Sequence, residues 1–390
     1  MKIKKSKLAI FTGSDLRNFG GGEKYIIELC KRLKDFDITV FSYEDEKSAR
    51  LSKSEIKTLL KTKLEFFRSF TIPILKERVP FSFSGLKVLS KLNTFDSIYI
   101  TDPSIPTIFM ILMFLKLKKA KTKLIFGAHD PGFLRAKPQK NNIFRKILLR
   151  MYKPIQYAVL FKIPNIHVLN SFDLKLLKKL GYNGNIYYIP NFLYYKKNNK
   201  IKSNKKDFVV LFGGRLSIYH KGLDFLIKII DKTIKRNKNI KFHIFGSGED
   251  GQKLIEELSN KYPNNAKYLG FLSNDQVENE YLNASLYIMT SRIEAFSLVT
   301  LEAQAHGLPV IAFDIKGPHD IIKNDFQGKL IEPFKMEDFV KAILYYYKLW
   351  RAGRLSENYK RQIIDYIFNN YSDKKIVLKL EKMLMNQKKQ

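Results

Sequence analysis

Short apolar runs separated by segments long enough for helices recur along the whole chain, and this alternation restricts the fold more than any other feature. LAIFTG (8–13) ends in glycine and is followed by Gly20, Gly21 and Gly22, then by apolar residues at Ile26, Ile27, Leu29, Cys30 and Leu33, so strand, loop and helix follow in order. ITVFSY (38–43), SIYIT (97–101), KLIFGAH (123–129) and IHVLNS (166–171) repeat the strand signal, and NIYYIPN (185–191) closes the half. The pattern restarts with FVVLFGGR (208–215), KFHIFGSG (241–248), AKYLGFL (266–272), SLYIMTS (285–291) and LPVIAFD (308–314). Strands that alternate with helices build parallel sheets covered by helices, and two doubly wound α/β domains are the simplest architecture here. Between them YKKNNKIKSNKKD (195–207) has no hydrophobic period and reads as a linker, with the boundary near Lys200. No repeat of solenoid length is visible.

A chain of 390 residues with 45% hydrophobic content buries two cores of ordinary size, which excludes a disordered tail protein. Lys and Arg number 70 against 37 Asp and Glu, a net charge of +33 that favours anionic partners: nucleotides, nucleic acid or a phospholipid surface. Residues 101–200 hold 19 basic and 3 acidic side chains, so the first half carries the stronger field. The single cysteine, Cys30, excludes a disulfide framework and a cysteine-based zinc site, and it fits a reducing compartment, with cytoplasm the default. The basic start MKIKKSK precedes an apolar run too short for a secretory signal, and Ile105 to Leu117 falls short of a spanning helix, so neither export nor a transmembrane segment is expected.

The strongest chemical signal is SRIEAFSLVTLEAQAHGLPVIAFD, in which seven residues separate Glu294 from Glu302. A strand leads into a loop at Arg292 to Ala295, and a helix is expected to begin near Phe296. Ligands of open α/β sheets bind beyond the carboxyl ends of strands, where a helix N-terminus offers backbone N–H groups to an anion. Glu302 is expected about two turns along nearly the same helix face as Glu294, so the pair lines one ligand from two depths; the spacing alone also fits a solvated or salt-bridged face. A second signal is GGRLSIYHKG, where Arg215 follows Gly213 and Gly214, and Lys221 precedes Gly222 at a helix start. Glycines permit close backbone approach, and a forked Arg beside a point-charge Lys suits a diphosphate.

Together these segments resemble the retaining glycosyltransferases of family 4 (glycosyl transferases group 1), which have the GT-B fold of two Rossmann-like domains facing a central cleft. The likeness rests on the Gly214-Arg215 and Lys221-Gly222 pairs, Glu294 and Glu302, GLPVIAFD with Gly317-Pro318, and, in kind, Gly21-Gly22-Glu23 and the IPN at 189–191. It is nearly continuous from about 208 to 345 and patchy before that. It implies an acceptor-binding domain over 1–197, a donor-binding domain over 207–370, and a segment 371–390 that crosses back onto the first. Arg215 and Lys221 would hold the donor diphosphate and stabilise the departing nucleotide. Glu302 would accept hydrogen bonds from the ribose hydroxyls, Glu294 would contact the transferred sugar, and backbone N–H groups of Phe296, Ser297 and Leu298 would add contacts to both. Gly21 and Gly22 would let the first helix approach the phosphates, and His129 in FGAHDPG would stand near the sugar on the acceptor side. The family's usual scheme has front-face departure and attack, with the leaving phosphate taking the acceptor proton, so no covalent nucleophile, cofactor or metal is expected. Relatives with the GLPV run and Gly317-Pro318 favour UDP over GDP, and the implied acceptor is a glycan or a lipid-linked molecule in polysaccharide or glycoconjugate synthesis. The chain departs from the pattern at Ala295, where relatives usually have Gly; if that position needs a positive φ, alanine is strained by roughly 1–2 kcal/mol.

Other segments carry competing readings. Gly246 to Gly251 fits GxGxxG, but Glu249 and Asp250 put negative charge where a pyrophosphate would sit, and the expected acid about 20 residues on is Phe271, so an NAD site is rejected. The resemblance sets that loop near the nucleotide base. Asp35-Phe36-Asp37 has the form of a metal-binding DxD but reads as a solvated turn, and no HExxH or clustered His/Asp set is present. Residues 143–161 form a basic amphipathic segment that fits either an anionic membrane, giving peripheral attachment at its inner face, or an ordinary domain helix; Pro154 is expected to break or kink it. The rival functions are a GT-B nucleotide-sugar epimerase or phosphorylase, a nucleic-acid-binding protein, and a DNA-glycosylating enzyme; the chain lacks zinc-finger, RNA-recognition and basic-zipper signatures.

Overall fold

In the computed structural model of the protein, the described residues are 5–18, 20–46, 49–68, 70–72, 77–79, 83–101, 105–129, 143–195, 197 and 206–385. Most of the 195–207 linker, the start of MKIKKSK, the Asp130–Gly132 end of FGAHDPG and the side chains of Arg145 and Lys146 lie outside them.

Among the described residues of the first half, nine strands form: β1 Ser6–Thr12, β2 Phe36–Tyr43, β3 Lys63–Phe67, β4 Phe70–Ile72, β5 Glu77–Val79, β6 Ser97–Thr101, β7 Lys123–Ala128, β8 Asn165–Val168 and β9 Asn185–Tyr188. Seven of them form a sheet in the order β3-β2-β1-β6-β7-β8-β9, every neighbour parallel, while β4 and β5 pair as a separate antiparallel ribbon. The central strands β1 and β6 are buried along nearly their whole length because helices cover a parallel sheet on both faces, whereas the edge strands β3 and β9 are largely half-exposed. That exposure lowers their apolar content, and β3, KLEFF, escaped the hydrophobic reading for this reason.

The second half supplies β10 Phe208–Gly213, β11 Ile240–Phe245, β12 Ala266–Tyr268, β13 Leu286–Met289, β14 Val310–Phe313 and β15 Gly328–Ile331, in the order β12-β11-β10-β13-β14-β15, all parallel. The helix Leu223–Arg236 buries Leu223, Leu226, Ile229, Ile230, Thr233 and Ile234, a stripe at helical spacing that packs with Phe208, Phe242 and Phe339 into one core. A second core on the other face of the sheet gathers Leu211, Tyr287, Met289, Leu308 and Val310.

The chain divides into two units, Met1–Asn191 with Lys374–Gln390, and Phe192–Asp373. Residues 192–195, which the polar run leaves with the first domain, group with the second: the Leu193 N–H donates to the Tyr371 carbonyl at 2.7 Å, and Leu193 bridges Ser372 in parallel. The helix Asp373–Leu384 buries Ile376, Val377, Leu380, Met383 and Leu384, and Lys123 Nζ holds the Met385 carbonyl beyond its end at 2.9 Å within the first unit.

In both sheets the order runs outward from the first strand in one direction and then reverses, which is the Rossmann pattern, with switch points between β1 and β6 and between β10 and β13. The helix Ile143–Leu160 runs on through Pro154. Arg150 and Pro154 are both exposed, so the carbonyl that loses its donor faces water and the helix is not broken.

Candidate functional site

At the second switch point two loops meet, one after β10 and one after β13. Gly213 ends β10 with its α-carbon so close to the Phe245 ring that an added Cβ would stand 2.0 Å from it. The loop then passes Arg215, exposed and without a carboxylate in ion-pair distance among the described residues, and returns through Lys221 to Gly222. Gly222 has φ 64° and precedes the helix Leu223–Arg236; a Cβ there would lie 2.1 Å from the Thr290 carbonyl oxygen, so only glycine lets this helix start so close to the end of β13. Thr290 Oγ1 donates to the Lys221 carbonyl at 3.0 Å, and the Arg292 N–H donates to the His220 carbonyl at 2.9 Å. The Arg292 guanidinium forks onto Asp224 at 2.7 and 2.6 Å and covers the Phe225 ring at 3.9 Å, and this pairing holds the Asp224 carboxyl below the usual range.

This lacing delivers Lys221 to Glu294. Nζ donates to Glu294 Oε1 at 2.6 Å, and Ser291 Oγ donates to the same oxygen at 2.9 Å. Three of the expected residues, Arg215, Lys221 and Glu294, therefore come from loops at one switch point, the place where open α/β sheets bind ligands.

The helix begins at Leu298 with Ser297 as its N-cap, within two residues of the expected start. Glu294 lies in the loop, and Glu302 is one turn into the helix Leu298–Ala305, so the expected shared face across two turns does not form. Phe296, in the loop between β13 and this helix, is buried. Ala295 has no positive φ; the left-handed residue is Ser297, at φ 79° and ψ 71°, where its hydroxyl bonds Thr300 Oγ1 at 2.8 Å. The strain expected at Ala295 sits two residues later. Gly317, at φ 92°, brings the loop after β14 against this segment, its missing Cβ 2.6 Å from the Phe296 carbonyl oxygen. The Thr300 and Leu301 N–H groups donate to the Ser297 carbonyl at 3.1 and 3.4 Å, so the N–H groups of Leu298 and Val299, which precede the first helical bond, are the ones suited to an anion.

Glu302 is met by groups that sequence reasoning did not single out. Tyr194 and Tyr195 donate to Oε1 at 3.1 and 3.4 Å, and Tyr281 donates to Oε2 at 3.4 Å. Burial and then the Glu302 charge push these phenols up, so they remain neutral donors. His306 stacks on Tyr281 at 4.9 Å and its Nδ1 hydrogen-bonds the Glu302 carbonyl. No periodicity marks Tyr194, Tyr195 or Tyr281; only the fold brings them together.

The GxGxxG run is a packing device. Added Cβ atoms on Gly246, Gly248 and Gly251 would stand 1.8, 2.4 and 2.5 Å from the carbonyl oxygens of Gly214, Leu216 and Leu216. Asp250 accepts the Ile218 N–H at 3.1 Å. These glycines admit the neighbouring loop's backbone where a dinucleotide fingerprint would admit a pyrophosphate.

In the first unit Gly21 and Gly22 open the exposed first turn of the helix Gly21–Arg32, with Gly20 as its N-cap. Glu23 in that turn accepts Ser14 Oγ at 2.5 Å. Cys30 is buried on the same helix, its thiol pushed up to about 12 by desolvation, so it is an inert core residue. Asp37 belongs to β2 and lies 3.6 Å from Lys63, so the DxD is part strand and part turn. Among the described residues no cluster of three His, Cys, Asp or Glu side chains could hold a metal, and no helix is long and apolar enough to cross a membrane.

His129 stands half-buried just beyond β7 and joins a chain of hydrogen bonds whose direction is determined at one end. The Ile189 carbonyl lies 2.7 Å from His167 Nε2 and can only accept, so Nε2 carries the proton. Burial, and for His167 also the neighbouring ring, pushes His129 down to about 4 and His167 to about 3, so both are neutral at pH 7. His167 Nδ1 must therefore accept, and the Tyr99 hydroxyl donates to it at 2.8 Å. With its one proton engaged, the Tyr99 oxygen accepts from His129 Nε2–H, also at 2.8 Å. His129 is held as the Nε2–H tautomer with Nδ1 as its acceptor atom.

Two doubly wound sheets, with a cation–carboxylate pair at the switch point of the second, make this a two-domain Rossmann-like α/β architecture. Residues 195–366 match the family model described as Glycosyl transferases group 1. The chain is 29% identical over 223 residues to the poly(ribitol-phosphate) alpha-N-acetylglucosaminyltransferase of Staphylococcus aureus, a match that spans 57% of this chain and 42% of that relative's own length. Among solved structures, Anabaena HepE in complex with UDP superposes with a TM-score of 0.74 at 16% identity, over 97% of this chain and 99% of that one. A mutant of S. aureus TarM in complex with fondaparinux, alpha-GlcNAc-glycerol and UDP gives 0.71 at 17%, over 98% and 100%. The fold is that of the GT-B glycosyltransferases.

Proposed function

We propose that the protein is a retaining glycosyltransferase of family 4 that moves a hexosyl group from a nucleotide sugar, most favourably a UDP-sugar, to a glycan or lipid-linked acceptor in polysaccharide or glycoconjugate synthesis. The observation that carries this reading is the Lys221–Glu294 pair at the second switch point, with the exposed Arg215 on the same loop. Arg215 and Lys221 hold the donor diphosphate, the N-terminal turn after Ser297 adds backbone donors, and the cations stabilise the charge that develops on the departing nucleotide. Glu302 takes the ribose hydroxyls, Glu294 contacts the transferred sugar, and His129, Gly21 and Gly22 act from the first domain. The departing phosphate takes the acceptor proton, and transfer proceeds without a metal. The match to the group 1 model and the S. aureus relative's printed activity support a glycosyl donor, and the UDP complexes of HepE and TarM support UDP. The basic first half supports an anionic acceptor held at the inner membrane face.

The reading is tested by calorimetric binding of UDP, GDP and NAD to the wild type and to Glu302→Ala, in moderate salt with a chelator present. Selective UDP binding, weakened in the variant, is expected, and retention is then read from the anomeric configuration of the product. No nucleotide binding by well-folded protein overturns the donor site.

A further inference from the structure

Three helices of the first unit, Phe83–Ser90, Ile105–Leu117 and Ile143–Leu160, pack side by side, with the middle one touching both others. The connections β6 to β7 and β7 to β8 are parallel crossovers that step in one direction, so right-handedness sets the second and third helices on the same face of the sheet. The middle helix buries Ile108, Ile111 and Leu115 and turns Phe109, Met113 and Leu117 outward, four residues apart along one stripe. These are 49%, 47% and 73% exposed, and Met151 and Ile155 on the third helix are 69% and 54% exposed. Single exposed apolar residues need no explanation, but a stripe on one helix beside a second pair on its neighbour is an apolar patch.

The three helices themselves carry charge of one sign. None of the three helices contains an Asp or Glu, while Lys87, Lys116, Lys118, Lys119 and Arg150 are exposed on or just beyond them. A protein partner of ordinary composition would meet this rim with mixed charge, and a nucleic acid would have no use for the outward Phe, Met and Leu. An anionic bilayer matches both, with acyl chains for the stripe and head groups for the lysines.

We infer that this three-helix face docks on an anionic phospholipid bilayer, with Phe109, Met113 and Leu117 as the inserted residues. The inference deepens the proposed function by assigning the membrane-facing surface, and it moves the anchor from the basic helix 143–161 alone to the stripe of Ile105–Leu117.

The test is flotation of the full chain with vesicles of phosphatidylcholine alone and with about 30 mol% phosphatidylglycerol. Wild type binds the anionic vesicles. Met113→Ser with Leu117→Ser, both exposed positions, lowers that binding about tenfold or more, and Lys116→Glu with Lys119→Glu lowers it comparably and flattens its salt dependence. Lys235→Glu with Lys238→Glu in the second unit removes the same charge and leaves binding within about twofold. Solution binding of UDP is unchanged in all of these, so loss of the docking face and loss of the donor site read out separately. The inference is overturned if folded wild type does not float, if the serine variant floats like wild type, or if both charge pairs weaken binding equally. Binding of duplex DNA that falls with the Lys116/Lys119 change and ignores the serine variant, without flotation, would assign the face to a polyanion.

Discussion

Replacing Glu294 by Gln keeps an oxygen for Ser291 and Lys221 while removing one negative charge, and it separates two roles that Glu294 plays in the proposed site. Lys221 Nζ lies 2.6 Å from the carboxylate, with side-chain exposures of 22% and 11%, so this pair stands between a solvated and a buried ion pair. A diphosphate drawn to Lys221 meets the Glu294 charge as a repulsion. At about 6 Å and an effective dielectric of about 40, one unit charge on another contributes roughly 1.4 kcal/mol, a factor of about ten. Glu294→Gln is therefore expected to bind UDP about five- to thirtyfold more tightly at low salt, with the gain shrinking as salt rises. Transfer moves the other way, because the contact to the reacting sugar is weakened: kcat/KM for the UDP-sugar is expected to fall at least about tenfold. Calorimetry with UDP and a donor-hydrolysis assay on the same preparations supply both numbers. If the folded variant binds UDP as wild type does or more weakly, Lys221 is not a shared partner of Glu294 and the diphosphate.

Gly222→Ala combines a left-handed backbone with a Cβ 2.1 Å from the Thr290 oxygen, and should lower the stability of the second unit by about 2–4 kcal/mol in urea unfolding; a loss under about 1 kcal/mol would mean that the loop yields. Tyr99→Phe removes the link between two rings, costs about 1–3 kcal/mol, and should mix the tautomers of His129 in nitrogen-15 spectra; an unchanged Nε2–H tautomer would refute the relay. His129 and His167 are depressed to about 4 and about 3 in the fold and titrate near 6.5 when unfolded. Below pH 6.5 the unfolded chain binds more protons, so stability is full above that pH and falls toward pH 4, by up to about 1.4 kcal/mol per pH unit for each ring. His167→Gln should reduce that slope in acid titration, and an unaltered slope would assign the acid loss to other groups.

The sequence alone makes the two-sheet architecture legible because interior parallel strands are apolar on both sides, and LAIFTG, SIYIT, FVVLFGG and SLYIMTS each meet that condition. It also places Arg215, Lys221 and Glu294 correctly after strand ends, since a loop at a strand's carboxyl end is a local feature. What failed had a nonlocal cause. KLEFF and GKLI, β3 and β15, lie at sheet edges, where half the surface stays wet and the apolar signal is diluted. Ahead of the polar run, Leu193 is tied to Tyr371 and Ser372 by pairing that no local pattern announces.

The same division holds for chemistry. Residue type and spacing alone determine that this chain carries a basic, glycine-flanked loop and two glutamates in a strand–loop–helix setting. Only the tertiary structure decides that Glu302 is held by Tyr194, Tyr195 and Tyr281, that left-handed strain falls on Ser297 and not Ala295, and that GxGxxG admits a neighbouring loop. It alone decides the tautomer of His129, because that follows from a carbonyl sixty residues away that can accept a hydrogen bond but cannot donate one.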